Sequence, residues 1–235
     1  MPGEPFTTEK NVSETTKQYL RKLYGLDKPL WQQYYIYPSK IVTAGDFGVS
    51  TSKGRPVRDI IAQSFPVSLV LGLGAMGFAI GIGVPIGILS AVRRNTWVDW
   101  SLMAVAMVGI CVPAFTVGPL LQILVAANVP GLKVAGWGSP FDFLLPAFTL
   151  GLVSAAYLAR LTRGGLLEIL SQDFIRTAHA KGLSPTRVIL KHGLRGGLLP
   201  SVAYLGPAFA AMISGSFIVE TIFQVPGMGQ HFVNA

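Results

Sequence analysis

The sequence is poor in charged residues and in cysteine, and both shortages exclude classes of protein. Of its 235 residues, 13% are charged and 51% are hydrophobic, whereas soluble domains carry about 25% charged residues. The composition therefore predicts a membrane protein. The one cysteine, Cys111, lies in an apolar run. It has no second cysteine for a disulfide or a metal site, so we expect a small core residue.

Motifs for catalysis are also missing. Without a Gly-x-x-x-x-Gly-Lys-Ser/Thr phosphate loop, the chain is not expected to hydrolyse ATP. It has no His-Glu-x-x-His or Gly-x-Ser-x-Gly motif, and its three histidines, His179, His192 and His231, are far apart. Neither a metal site nor a membrane-embedded enzyme is therefore expected. The net charge of +8 comes without the pattern of a nucleic-acid-binding protein. Membrane lipid and an acidic protein groove are the expected partners.

Four hydrophobic stretches predict four membrane-spanning helices, since one such helix needs about 20 apolar residues. The stretches 64–92, 100–127, 143–159 and 198–219 contain no Asp, Glu, Lys, Arg or His. We predict spans at about 64–92, 100–127, 143–161 and 198–222, within a transmembrane domain of residues 61–235. Proton-driven carriers place ionisable groups at mid-membrane, so these stretches argue against one. A secondary carrier or channel that works alone stays the alternative.

Acidic residues and glycines mark particular places on the spans. Asp99, Asp142 and Glu220 lie at span edges, and we expect them to anchor at the membrane interface, with Glu220 facing an external mouth as the alternative. Gly77-x-x-x-Gly81 and Gly83-x-x-x-Gly87 lie on the first span. Such pairs predict close helix packing, with a place in a substrate path as the alternative.

The distribution of lysine and arginine predicts the orientation. Arg93 and Arg94 lie in one link, residues 160–197 carry seven basic residues, and the link 128–142 carries only Lys133. Because basic residues collect in short cytoplasmic loops, we expect the first two regions to be cytoplasmic. The link 128–142 and residues 1–60 are then outside the cell.

The charged segment 173–200 predicts two short helices joined by a hinge. Apolar residues repeat at three-to-four spacing, which is typical of a helix with one apolar side, and Gly182 suits the left-handed end of that helix. The apolar residues at this spacing are Ile169, Leu170, Phe174, Ile175 and Ala178.

The second helix of this segment has a start signal and a basic stripe. Ser184 offers a capping oxygen and Pro185 suits the first turn. Arg187, Lys191 and Arg195 follow at i, i+4 and i+8. A loop of this kind either only orients the protein in the membrane or docks to a cytoplasmic partner.

The residues Arg176–Gly182 and the pair Leu199-Pro200 resemble the "EAA" coupling loop of ABC-importer permeases, in the form found in the oligopeptide/dipeptide (nickel) family. Arg176-Thr177-Ala178 stands where the general motif has Glu-Ala-Ala, so a Glu-specific salt bridge is not carried over. The resemblance implies a cytoplasmic loop at 162–197 that docks in a groove of an ATPase subunit. In that docking Ile175 and Leu183 would enter the groove and Gly182 would set the bend. The implied coupling-loop residues are Phe174, Ile175, Arg176, Thr177, Ala178, His179, Ala180, Lys181, Gly182, Leu183 and Ser184.

Further motifs resemble the same family in the same order. They are Pro2–Pro5, Gly25–Leu30, Gln33-Tyr34, Gly45–Gly48 with Ser50, Pro56-Val57 and Phe223–Gly229. In the family these motifs are extracytoplasmic, which implies an external segment at residues 1–60. Met1–Pro5 lacks the basic start and apolar run of a signal peptide. We therefore expect this chain to be an internal part of a six-span permease that lacks its first and last spans.

The resemblance implies an all-α integral membrane protein, a type I ABC-importer permease bundle. It further implies a permease subunit for peptides, with nickel or glutathione as other cargoes among relatives. The expected partners are a second permease, two ATP-binding subunits that bind ATP and Mg, and an extracytoplasmic solute-binding protein. No cofactor is expected in this chain, which would be multi-pass in a bacterial or archaeal cell membrane.

Overall fold

The computed structural model describes residues 28–50, 55–129, 131–139, 141–215 and 217–233. The described residues are mostly helical, and their contacts divide them into two units, one up to Ala62 and one from Gln63, which we describe separately. The α-helices are α1 Leu30–Ala44, α2 Val57–Val92, α3 Trp97–Cys111, α4 Ala114–Leu121, α5 Leu144–Leu170, α6 Asp173–Ala180, α7 Pro185–Val188, α8 Leu194–Gly197, α9 Leu199–Gly215, α10 Phe217–Phe223 and α11 Gly229–Val233. Two π-helical turns, Gln122–Ala126 and Ile189–Gly193, follow α4 and α7.

The first unit contains α1 and a turn at residues 45–48. Gly45 and Gly48 have φ of 60° and 80°, the left-handed region that glycine tolerates best. The Asp46 carboxylate accepts a hydrogen bond from the Gly48 amide at 2.9 Å, which closes the turn. Val49 then forms an antiparallel bridge with Pro56. The motif residues 2–5 and 25–27 lie outside the described residues.

Two helices, α2 and α5, are each long and apolar enough to cross a membrane, and two bent helix pairs meet the same test. The first predicted span lies within α2, and the third matches α5 from Leu144 onwards. The second predicted span, 100–127, is bent, because α3 and the helix after it meet at 102°. Pro113 has no amide hydrogen and disfavours a helical residue before it, and Val112 is accordingly extended. The fourth span belongs to a pair bent by 48°.

Helices α2 and α5 pack closely against each other in the second unit. A Cβ built on Gly83 or Gly87 would come within 3 Å of the backbone of Ala155 or of Thr162 Cβ. Side chains there would push the helices apart, so the predicted packing role of this glycine pair is confirmed. The other pair differs, because no atom lies within 4 Å of a Cβ built on Gly77 or Gly81. Within the described part of the chain, that pair packs against nothing.

The long helix α5 contacts most of the elements in this unit, namely α3, α4, α8, α9 and α10. It also runs eight residues beyond the start of the loop that we predicted at 162. The reason is packing, since Thr162, Gly165 and Leu166 are buried. The segment after Leu170 is therefore held at the end of a helix that touches most of the bundle.

Candidate docking loop and the polar clusters that support the bundle

Residues 171–197, which we call the docking loop, contain a small hydrophobic core of their own. Ile175 is 3% exposed, Ala178 is 6% exposed and Val188 is fully buried. Ile169, Leu170 and Leu183 pack around these three side chains. Burying one valine or isoleucine side chain stabilises a fold by about 1.5–3 kcal/mol. The shared core therefore fixes α6 and α7 against each other and against the end of α5.

The predicted hinge between the two short helices is confirmed. Gly182 has φ of 77°, and its amide donates to the His179 carbonyl at 2.9 Å. The α7 helix then begins with Ser184 at the N-cap and Pro185 in the first turn, as predicted. The Ser184 side chain makes no capping bond, so that detail of the prediction is wrong. The Ser184 carbonyl instead accepts the Val188 amide at 3.0 Å.

The outer face of α6 carries the residues that a partner can reach. Phe174 is 49% exposed. The spacing of apolar residues had predicted that it lies with Ile175 on the apolar side of the helix. The buried position of Ile175 contradicts the prediction that it enters a partner's groove, because its side chain already fills the loop's own core. Leu183 is half-buried against that core. The remaining residues predicted for docking are exposed: Arg176, Thr177, His179, Ala180, Lys181, Gly182 and Ser184.

Glycines attach the end of the docking loop to α5. A Cβ built on Gly197 would lie 2.8 Å from the Leu166 Cα, and one on Gly196 would lie 2.8 Å from the Ile169 Cδ1. A Cβ built on Gly165 of α5 would lie 2.4 Å from the Gly197 carbonyl oxygen. The basic residues Arg187, Lys191 and Arg195 are exposed, but the π-helical turn at 189–193 interrupts the straight stripe that their spacing predicted.

An ion pair between a buried carboxylate and a partly exposed guanidinium connects α3 to α5 near the docking loop. The Asp99 carboxylate accepts two hydrogen bonds from the Arg163 guanidinium, 2.7 Å from Nε and 2.8 Å from Nη2. It also accepts hydrogen bonds from the Ser90 hydroxyl and, at 2.9 Å, from the Asn95 amide. Paired, two-point Arg–carboxylate bonds are among the stronger polar contacts in proteins. This cluster therefore joins the ends of α2, α3 and α5.

A second cluster surrounds Glu220, which is fully buried. Its carboxylate accepts bonds from the Ser68 hydroxyl at 2.8 Å and from the Gly229 amide at 2.7 Å. The Ser68 oxygen in turn accepts the Met228 amide at 2.8 Å. A Cβ on Gly227 or Gly229 would come within 3 Å of the carboxylate. The buried acid thus explains both glycines of the Pro-Gly-Met-Gly turn.

The segment between α4 and α5 is attached to the same end of the bundle as the Pro-Gly-Met-Gly turn. The Gln122 side-chain amide donates to the carbonyls of Val134 at 2.8 Å and Ile222 at 2.9 Å. Asp142 forms an ion pair with Lys133 at 2.9 Å. The hydrogen bond from Lys133, assisted by the Ser139 amide, holds the pKa of the Asp142 carboxyl below its ordinary value.

The three acidic residues predicted to anchor at the membrane interface are all buried: Asp99, Asp142 and Glu220 are 3%, 6% and 0% exposed. That prediction is wrong because each carboxylate has donors within the chain that replace water. One signal in the sequence pointed to the first of them, since Asp99 and Arg163 are opposite charges at the ends of two predicted spans. For Glu220, the signal was a lone acid just before a glycine-rich turn.

Known proteins match this chain over most of its length. A family model described as the binding-protein-dependent transport system inner membrane component matches residues 83–235. The chain belongs to this family. It is therefore an integral inner-membrane component. Among its relatives, the oligopeptide transport system permease protein OppB of Haemophilus influenzae is 42% identical over 236 residues, covering 99% of this chain and 77% of that protein.

Two further relatives of this inner-membrane component match equally well. The dipeptide transport system permease protein DppB of Bacillus subtilis is 42% identical and covers 100% of this chain and 76% of that protein. OppB of Escherichia coli is 43% identical and covers 99% of this chain and 77% of that protein. The family predicted from the docking loop and the ordered external motifs is thus confirmed.

Solved structures show the fold of this inner-membrane component. A chain from the MetNI methionine ABC transporter, in inward-facing conformations, is similar with a TM-score of 0.63. The similarity covers 74% of this chain and 79% of that chain, at 19% identity. A second crystal form of that transporter gives a TM-score of 0.61. The predicted all-α bundle of a type I ABC-importer permease is confirmed.

Proposed function

We propose that this chain is the permease subunit of an ATP-driven ABC importer for peptides, with residues 174–184 as its coupling loop. The peptide class is supported by the named oligopeptide and dipeptide permeases that match nearly the whole chain at 42–43% identity. The coupling role is supported by one observation above all. The helix α6 stands on its own buried core at the end of α5, so a force on α6 moves α5.

The proposed complex contains a second permease, two ATP-binding subunits and an extracytoplasmic solute-binding protein. ATP and Mg are bound by the ATPase subunits, and this chain holds no cofactor. The docking loop faces the cytoplasm, and the link 128–142 with the Pro-Gly-Met-Gly turn faces the binding protein. The chain is multi-pass in the cell membrane of a bacterium or an archaeon, and residues 1–60 are extracytoplasmic.

Phe174 is the proposed apolar contact with the ATPase subunit. It is the exposed large apolar side chain on α6, and the exposed Arg176 and Lys181 suit an acidic rim around a groove. We propose Phe174 for this contact in place of Ile175, because the Ile175 side chain is buried in the loop's own core. Closure of the two ATPase subunits on ATP would then move α6 and change the tilt of α5, which switches access from one side of the membrane to the other.

The test uses the complete transporter in proteoliposomes, purified through a tag on this chain. We expect Phe174→Asp to reduce the amount of copurified ATPase subunit and the uptake of a labelled tripeptide, because a buried unpaired charge is costly. The matched control, Phe174→Leu, keeps an apolar contact. It should therefore keep both the copurified ATPase subunit and the tripeptide uptake. If Phe174→Asp leaves copurification and uptake unchanged, the coupling assignment is wrong. If the wild-type complex takes up no peptide, the substrate class is wrong.

A second pair of variants tests the hinge. Since no atom of the described residues lies within 4 Å of a Cβ built on Gly182, the backbone conformation is what restricts this position within the described chain. A β-branched residue is strained by about 1–2 kcal/mol in the left-handed region, whereas Asn is tolerated there. We expect Gly182→Val to lower peptide uptake per ATP hydrolysed and Gly182→Asn to leave it near the wild-type value. Equal coupling in the two variants would contradict a role for the bend.

A further inference from the structure

One face of α5 remains exposed through the second half of the helix, and this face is polar. Tyr157 is 40% exposed, and Arg160, Gly164 and Glu168 are also exposed. The spacing of three to four residues places them on one line along the helix. The residues between them are buried or half-buried. The line begins inside a helix that is apolar enough to cross a membrane.

The exposed faces of the neighbouring helices have the opposite character. On α3, Val105 and Val108 are 68% and 61% exposed, and after α4 Ile123 and Leu124 are 65% and 66% exposed. Aliphatic faces of this kind suit lipid. A hydroxyl or guanidinium facing lipid is costly, because hydrocarbon offers no hydrogen-bond partner. The polar face of α5 therefore suits a surface that meets water or a polar molecule.

Two tyrosines meet on this face. The rings of Tyr157 and Tyr204, which lies on α9, are 5.9 Å apart between centroids. The Tyr204 hydroxyl lies 3.4 Å from the Ser154 hydroxyl. In the part of the chain that the structure describes, no residue makes a hydrogen bond with the Tyr157 hydroxyl. An exposed phenol with a free hydroxyl is thus placed beside a second phenol.

Arg160 follows one turn later and has spare donors. Its contact in the described ranges is with the Met107 sulfur, 3.8 Å from Nη1, and no carboxylate there pairs with it. Glu168 lies about 12 Å further along the helix, too far for an ion pair. Gly164, one turn after Arg160, leaves open space, since no atom of the described residues lies within 4 Å of a Cβ built there.

We propose that Tyr157, Arg160, Gly164 and Tyr204, the α5 strip, line the translocation path and bind the transported peptide. This inference rests on the proposed peptide import. The hydroxyls and the guanidinium are donors that match main-chain carbonyls and a C-terminal carboxylate, the groups that all peptides share. Aromatic faces accept side chains of many shapes. The α5 strip therefore recognises peptides by their main chain and not by their sequence.

Photocrosslinking in the complete transporter identifies what touches the strip. p-Benzoylphenylalanine replaces Tyr157 or Tyr204 in turn, and the proteoliposomes receive binding protein, ATP and radiolabelled trialanine. We expect a labelled peptide adduct at both positions. The control replaces Val105, which is 68% exposed on an aliphatic face, and should give no peptide adduct. Adducts at 157 and 204 only with lipid, or only with another protein subunit, would overturn the proposal.

Uptake by an Arg160→Gln variant tests the carboxylate contact. In this variant the charged hydrogen bond between Arg160 and the peptide carboxylate is lost, and only a peptide with a free C-terminus has that carboxylate. We expect about tenfold slower uptake of trialanine and a change of less than about twofold for its C-terminal amide. Equal losses for the two peptides would contradict carboxylate binding at Arg160. Wild-type failure to take up either peptide would instead refute peptide import itself.

Discussion

A single methyl group added at Gly83 tests how closely α2 and α5 approach. The new Cβ would lie within 3 Å of the backbone of Ala155, whereas ordinary contacts are 3.4–4 Å. Backbone atoms cannot rotate away as a flexible side chain can, so the two helices must separate by roughly 1 Å. Overpacking of this kind costs about 1–3 kcal/mol. Alanine regains about 1 kcal/mol because it favours the helix more than glycine does.

The expected net effect of Gly83→Ala is a loss of up to about 2 kcal/mol, which is about 1–3 kcal/mol worse than the same change at a position with open space. At roughly 2–4 °C per kcal/mol for a chain of this size, the midpoint of thermal unfolding falls by up to about 8 °C. The assay is thermal unfolding of the detergent-purified transporter, followed through the loss of its monodisperse peak on size-exclusion chromatography. Gly77→Ala is the matched control, because it makes the same change on the same helix.

The control has open space where Gly83 has a backbone neighbour, since no atom lies within 4 Å of a Cβ built on Gly77. We expect Gly77→Ala to leave the midpoint unchanged or to raise it slightly, because only the helix preference for alanine acts there. Equal midpoints for the two variants would refute the close approach of α2 and α5. A lower midpoint for Gly77→Ala alone would show that another chain covers that face.

Three further predictions concern the buried carboxylates. Glu220→Gln turns an amide hydrogen towards a group that now donates to the carboxylate, so we expect the free energy of unfolding to fall by about 1–3 kcal/mol. An unchanged value would argue against the Ser68–Glu220–Gly229 cluster. Asp99→Asn leaves Arg163 without its charge partner and should destabilise by up to about 3 kcal/mol, with partial recovery when Arg163→Met is added. The pKa of the Asp142 carboxyl lies below its ordinary value, because Lys133 and then the Ser139 amide donate hydrogen bonds to it. The carboxyl therefore stabilises the fold above its unfolded-state pKa of about 3.9, and this stabilisation is lost as the pH falls through the lower folded-state pKa. Asp142→Asn should show a smaller acid-induced drop in the unfolding midpoint, and an equal drop would contradict the ion pair.

In the docking loop, the local sequence predicts the helices and the bend between them, but it does not predict which apolar side chains are buried. The hinge at Gly182, the start of α7 at Pro185 and the two short helices depend on neighbouring backbone atoms, so their residues predict them directly. Which apolar residue points outwards depends on what packs beneath. Phe174 and Ile175 are adjacent in the sequence and similar in hydropathy, yet the core formed with Val188 buries one and exposes the other.

The amino-acid sequence by itself determined the family, the membrane environment and the loop that we propose for docking, because low charge, long apolar runs and ordered motifs are properties of the chain alone. The tertiary structure decided which of two similar glycine pairs brings helices together. It also decided that Asp99, Asp142 and Glu220 are buried rather than anchored at an interface. The physical reason is that burial and close contact are properties of pairs of elements. The spacing of residues in one helix fixes which of them share a face, but the neighbouring helix decides whether that face meets backbone, a hydrogen-bond donor or open space.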